Sequence, residues 1–277
     1  MKTLLLALPL LWVLCPSKAR AVGAEDAGFF PKSHELFKPL LADPRELQYA
    51  LRVVAPVAHK LLGEAALGDY LGLYRWSLGG GVRAQVSVGG GAFGRFKLAT
   101  AANEMQVADF YGNAPFDVRA GRWSGRFMLY HTSSHLGDDY LAKTGETTSK
   151  HAWDHLRWLG SYDACARLRF YAGYTYVIRE LPGHRGRNSL QVGFETASLW
   201  VAHNHIQAYW ANDFQTWERS NWNPMFSSQL GIKMAKDPRA DRGISFFLEF
   251  LTGRQPHGQF FLEEETRFGV GVKFHLT

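Results

Sequence analysis

Two cysteines in 277 residues, Cys15 and Cys165, are too few for the stapled frameworks of small secreted folds. Cys15 lies in the opening stretch "MKTLLLALPLLWVLCPSKARA", which has an early Lys, an apolar run from Leu4 to Leu14 and Ala19-Arg20-Ala21 as a small-x-small cleavage pattern. That layout is a secretory signal peptide over residues 1–21, so Cys15 is expected to be removed and Cys165 left alone. No apolar run reaches the roughly 20 residues that a membrane-crossing helix needs. Charge of one sign is also scarce. With Lys2, Lys18 and Arg20 gone, 31 basic residues become 28 against 25 acids and the net charge falls from +6 to +3, so a nucleic-acid partner loses its support. CxxC, GxSxG and Walker sequences are missing. "LGGGVR" and "SVGGGAFG" do not join a strand to a helix as phosphate cradles do, and they read as turns.

What the chain has in abundance is a period of two. Leu47, Tyr49, Leu51 and Val53 alternate with Gln48, Ala50 and Arg52, and Val82, Ala84, Val86 and Val88 with Arg83, Gln85 and Ser87. The same rhythm returns over 167–176, 190–195, 244–250 and 267–276. Such alternation predicts half-apolar strands. A soluble β-sandwich and a membrane β-barrel both give that signal, but 14% aromatic residues, including nine Trp and eleven Tyr, suit the interfacial girdles of a barrel. Trp76, Trp123, Trp153, Trp158 and Trp217 are among those placed near strand ends. The fold expectation is therefore an all-β, antiparallel transmembrane barrel of about twelve strands over 46–277. Residues 22–45 form a short N-terminal helical arm in this reading, capped by Ser33, with Leu36, Leu40 and Leu41 on one side and Asp43-Pro44 ending it. Export followed by insertion in a bacterial outer membrane is the expected location.

Three stretches stand out: "LFKPLLADPRE" at 36–46, "HTSSHLGDDYL" at 131–141 and "GRQPHGQFF" at 253–261. Together, and in this order, they resemble a bacterial family of outer-membrane proteins, domain of unknown function 1207. The resemblance runs over nearly the whole mature chain and implies an outer-membrane barrel. It implies no activity.

The second stretch also carries candidate chemistry. Residues two apart on a strand share a face, so His131 and Ser133 stand with Phe127 and Leu129 on the apolar side. A Ser becomes a nucleophile when a base takes its proton and a third group orients that base. This His-x-Ser on an outward barrel face is similar to the arrangement in two families of outer-membrane lipid hydrolases, the phospholipase A and the lipid A deacylase families. Only His131 as base and Ser133 as nucleophile carry over. For the third member, a symmetric hairpin would set Asp154 opposite Ser133, whereas Glu146 lies nearer the spacing of those enzymes but in the predicted loop. The bland reading is a strand that turns polar at the membrane edge.

His131, His135, Asp138, Asp139, His151 and His155 crowd around one predicted loop, and His203 and His205 share a face, which raises zinc or calcium. Calcium at Asp138 and Asp139 would suit a lipid-acting site. The predicted lumen face carries Arg52, Arg83, Arg95, Lys97, Arg167, Arg169, Lys233 and Lys273 against Glu195 and Glu249. That surplus either draws anionic solutes or braces a narrow interior. Two functions follow: a structural or small-solute barrel with a basic lumen, and a lipid ester hydrolase using His131, Ser133 and Asp154. The expected partners are membrane lipids, including lipopolysaccharide.

Overall fold

A computed structural model describes residues 27–31, 36–57, 60–98, 104–146, 151–183, 186–197, 201–202, 205–235 and 242–276. The expected signal peptide, Ser33 and His203 lie outside the described residues. Twelve long strands follow one another: β1 Tyr49–Pro56, β2 Leu62–Gly79, β3 Val82–Lys97, β4 Met105–Ala120, β5 Trp123–Leu136, β6 His151–Cys165, β7 Leu168–Leu181, β8 Asn188–Thr196, β9 Ile206–Trp217, β10 Pro224–Met234, β11 Gly243–Arg254 and β12 Glu264–His275. Each pairs antiparallel with its neighbours, and β12 pairs back onto β1 through Val270↔Val53, so the sheet closes. Two-residue pieces at Gly28–Phe29 and Val201–Ala202 pair onto β2 and β9.

Alternation sorts the side chains as the sequence predicts. Leu51, Phe110, Phe246, Leu248, Phe268 and Val270 are exposed outside, while Arg52, Glu64, Asp109, Glu249 and Arg267 are buried inside. Residues 80–81, 121–122 and 166–167 make tight turns at one end, where β1 begins and β12 ends. That end also has two longer links, over 197–205 and 235–242; at the other end every connection has five or more residues, and the longest, between β5 and β6, holds α1, Asp138–Thr144. Asp138 and Asp139 in its first turn, Lys143 in its last and left-handed Gly145 after it match the helix dipole and C-cap preferences. Gly137, just before α1, is held by its N–H to the Gln106 carbonyl at 3.0 Å.

The N-terminal arm is not helical, which corrects the sequence expectation. Residues 36–48 run irregularly through the lumen, with Leu36, Phe37, Leu40, Ala42, Asp43 and Leu47 all buried. Some of its peptide groups are met within the arm, as Glu46 N–H is by the Asp43 carbonyl, and the wall satisfies others. Phe37 N–H donates to Asp117 at 3.2 Å and Leu41 N–H to Glu195 at 2.7 Å, while the carbonyls of Phe37 and Leu41 accept from Arg126 and Lys273 at 3.2 and 3.0 Å. With every direction occupied by wall side chains, the leucine spacing marks burial all round instead of one helix face.

"SVGGGAFG" is not a turn either: Gly89, Gly90 and Gly91 lie inside β3. Leu47 of the arm packs against this spot. A Cβ on Gly91 would come within 2.9 Å of Leu47 Cδ2 and 2.8 Å of Gly68 Cα, so the glycines make room for the arm. Trp153, expected in an outer girdle, instead points inward, is 2% exposed and donates to Glu180 at 3.0 Å. Cys15 lies outside the described residues.

Candidate functional site

The three predicted residues reach the same outer patch near the long-loop end. The outward row of β5 reads Phe127, Leu129, His131, Ser133 and His135, so the wall passes from apolar to polar within it. His131 faces Asp154 across the β5–β6 ladder, and Ser133 faces Ala152. His131 Nδ1 lies 2.6 Å from Asp154 Oδ1, with the two side chains 52% and 30% exposed. An ionised carboxylate only accepts, so Nδ1 carries the proton and Nε2 keeps a free lone pair. This is the tautomer that a base beside a serine needs. Ser133 is on the same face, but among the described residues its hydroxyl makes no hydrogen bond to His131. Glu146 is exposed beyond α1.

A register shift between β6 and β7 adds Arg179. Asp154 pairs with Arg179 but His155 with Val177, so Ile178 is the extra residue of a bulge. Ile178 and Arg179 therefore both point out, and Arg179 Nη1 comes within 3.8 Å of Asp154 Oδ2. Bulges re-aim side chains in this way. Below the patch, Phe127, Trp158 and Tyr174 form an aromatic row, with centroids 5.4 and 5.8 Å apart.

A second cluster inside the lumen gathers the three sequence stretches that stood out. Asp109 accepts from Ser134 Oγ, from Arg45 Nη2 and, at 3.0 Å, from the N–H of Gly258. His257 lies 3.7 Å from Asp109 through Nδ1 and 3.0 Å from Glu64 through Nε2. Glu64 also binds Arg267, and Gln259 donates to the Ser134 carbonyl at 2.7 Å. Arg45 comes from the first stretch, Ser134 from the second, and His257, Gly258 and Gln259 from the third. Sequence reading missed this cluster, although the parity that puts Ser133 outside puts Ser134 on the lumen side.

The lumen cations meet acids, of which Glu249 and Glu195 belong to the predicted lumen face and Asp117 and Asp43 do not. Arg52 lies 3.3 Å from Glu249, Arg126 2.8 Å from Asp117, Arg157 2.9 Å from Asp43 and Arg169 3.1 Å from Glu195. Burial pushes the Asp43 carboxyl up, but Arg157 and the Arg45 N–H outweigh it and hold it below the usual carboxylate range. Bracing, not an open cationic surface, is what these pairs do. Among the described residues no three His, Cys, Asp or Glu side chains converge as a metal site. His131 and His135 face outward and His155 inward, so the predicted crowd is split by the wall.

A family model described as protein of unknown function (DUF1207) matches residues 16–276. The chain belongs to the DUF1207 family. No curated protein matches this DUF1207 member. Solved structures show the fold. An active-site variant of outer membrane phospholipase A from Escherichia coli is 13% identical, covers 88% of this chain and 94% of its own, and superposes with a TM-score of 0.53. The outer membrane phospholipase dimer of Salmonella typhi, with bound calcium, is 12% identical, covers 86% and 94%, and gives 0.55. At such identities the likeness concerns the barrel architecture. The DUF1207 barrel is thus of the outer-membrane type.

Proposed function

We propose that this DUF1207 protein is an integral outer-membrane barrel that hydrolyses a lipid acyl ester at the rim of its outer wall. Short turns face the periplasm in such barrels, which puts α1 and the His131 patch at the outer leaflet. The observation that carries the reading is the 2.6 Å His131–Asp154 contact on a face that Phe127 and Leu129 give to hydrocarbon. In the reaction, Ser133 Oγ gives its proton to His131 Nε2 and bonds to the ester carbonyl carbon. The collapsing intermediate expels the alcohol, which takes the proton from His131. Water then repeats the sequence and frees the fatty acid. Asp154 holds the ring and stabilises the imidazolium. The Ser133 hydroxyl and the His131 ring close their gap by side-chain rotation on substrate binding, a tightening common in hydrolases. The partners in this reading are membrane lipids, including lipopolysaccharide. Among the described residues no calcium ligand set supports it.

Fatty acid released from detergent-dispersed phospholipid and lipopolysaccharide by the purified, folded protein tests this, with Ser133→Ala as the paired variant. Release by the wild type alone supports it; a folded wild type that releases none ends it. The alternative, a small-solute barrel with a basic lumen, has the lumen cations in its favour. Against it stand the arm and the 255–261 segment, both packed into the lumen. Planar-bilayer recording is expected to find no steady conductance.

A further inference from the structure

Below the long-loop end the lumen keeps a cavity of about 80 Å3. One water occupies roughly 10–15 Å3 by this measure, so the space admits a small organic ion. Tyr130, Trp153 and Trp217 give it aromatic walls, and His155, Arg157 and Arg219 give it donors.

Arg219 differs from the other lumen arginines. It comes from the 3-10 turn Glu218–Ser220, and its guanidinium lies 4.7 Å from the ring centroids of both Trp153 and Phe261. Among the described residues it has no ion pair, and its Nη1 is buried with no hydrogen-bond partner. Glu180 is the carboxylate that acts most on it, yet Glu180 accepts from Trp153 Nε1. Arg157, in the same cavity wall, has Asp43. His155 adds a second unmet group. It is 7% exposed, stacks on Tyr130 at 4.3 Å, and its Nδ1 has no partner. Buried donors are rarely left without acceptors, and an unpartnered guanidinium is the costliest kind to leave so.

We propose that this cavity binds a small organic carboxylate, whose oxygens Arg219 and His155 take and whose carbon skeleton lies against Tyr130 and Trp153. The planar guanidinium matches a carboxylate fork, and one unpaired cation suits a single negative charge better than a phosphate's two. The aromatic walls favour a flat acid over a fully hydrated ion. The site is separate from the outer-wall patch and does not depend on the hydrolase reading.

The test uses the full chain folded in detergent micelles, with benzoate, acetate and inorganic phosphate titrated calorimetrically at constant ionic strength. Benzoate is expected to bind saturably and more tightly than acetate, and phosphate at least about tenfold more weakly than benzoate. Arg219→Gln should weaken benzoate about tenfold or more, and Arg122→Gln, on the exposed short-turn end, should leave it unchanged. Should Arg219→Gln fail to fold, His155→Phe supplies the same comparison. Absence of saturable carboxylate binding, phosphate binding as tightly as benzoate, or unchanged benzoate binding in the folded variants each overturns the proposal.

Discussion

The rim of the outer wall and the buried lumen cluster contain the same kinds of group: a histidine, a serine and carboxylates. Their surroundings make them different objects. In the lumen, Asp109 is held by Ser134, Arg45 and the Gly258 N–H, and His257 is engaged at both nitrogens. Both His257 nitrogens and both Asp109 oxygens already have partners. On the wall, His131 is engaged at Nδ1 only and is half exposed. A base must keep one nitrogen free, so the first cluster holds the fold together and the second has the freedom to react.

Adjacent serines give the sharpest way to break this contrast. Ser133→Ala is expected to lower lipid hydrolysis about a thousandfold or more with the unfolding midpoint unchanged. Ser134→Ala, one residue along, is expected to leave hydrolysis intact and to cost about 1–3 kcal/mol in denaturant unfolding, because Asp109 loses a buried donor. Equal effects of the two on activity would erase the distinction. Arg267→Met removes the cation that Glu64, Glu249 and Glu265 share in the lumen, leaving Arg52, Arg95 and His257 to face three carboxylates. Urea titration in micelles should then show a loss of about 3–5 kcal/mol. Asp154→Asn keeps the strand pairing but releases the His131 ring, and initial rates should drop about a hundredfold.

Acid sharpens the lumen side. The folded Asp43 carboxyl is held below its ordinary value, so the stability it contributes is complete above that ordinary value and is lost as pH falls through the depressed one. Asp43→Asn should flatten the acid limb of the unfolding curve. The smallest effect belongs to Arg179→Gln. This exposed partner, 3.8 Å from Asp154, should change the hydrolysis rate by no more than about threefold.

The barrel was legible because alternation is imposed on every wall strand: one row meets hydrocarbon and the next meets charge. Parity alone placed His131 and Ser133 on the outer face, but the symmetric-hairpin register was off by two residues, since Asp154 pairs with His131 and not with Ser133. Parity failed where the backbone slips. The bulge at Ile178 turns Arg179 outward, and no residue type announces it. Glycine misled over 89–91, since a strand that must pass an inserted leucine looks in sequence like a turn. The arm misled for a related reason. Leu36 and Leu40 recur at helical spacing, but inside a tube of side chains all directions are buried and the spacing selects no conformation. Glu64 and Asp109 escaped notice because each pairs with a cation far along the chain, as Glu64 and Arg267 do across the closed sheet.

The lumen arm sets an order of assembly. Residues 36–48 precede β1, yet they are clasped by side chains from strands as late as β12, whose Lys273 holds the Leu41 carbonyl. A finished cylinder offers no gap through which so bulky a segment could be threaded sideways. The partners of the arm span the wall from β4 to β12, so it is fully clasped only when the last strand has joined the sheet.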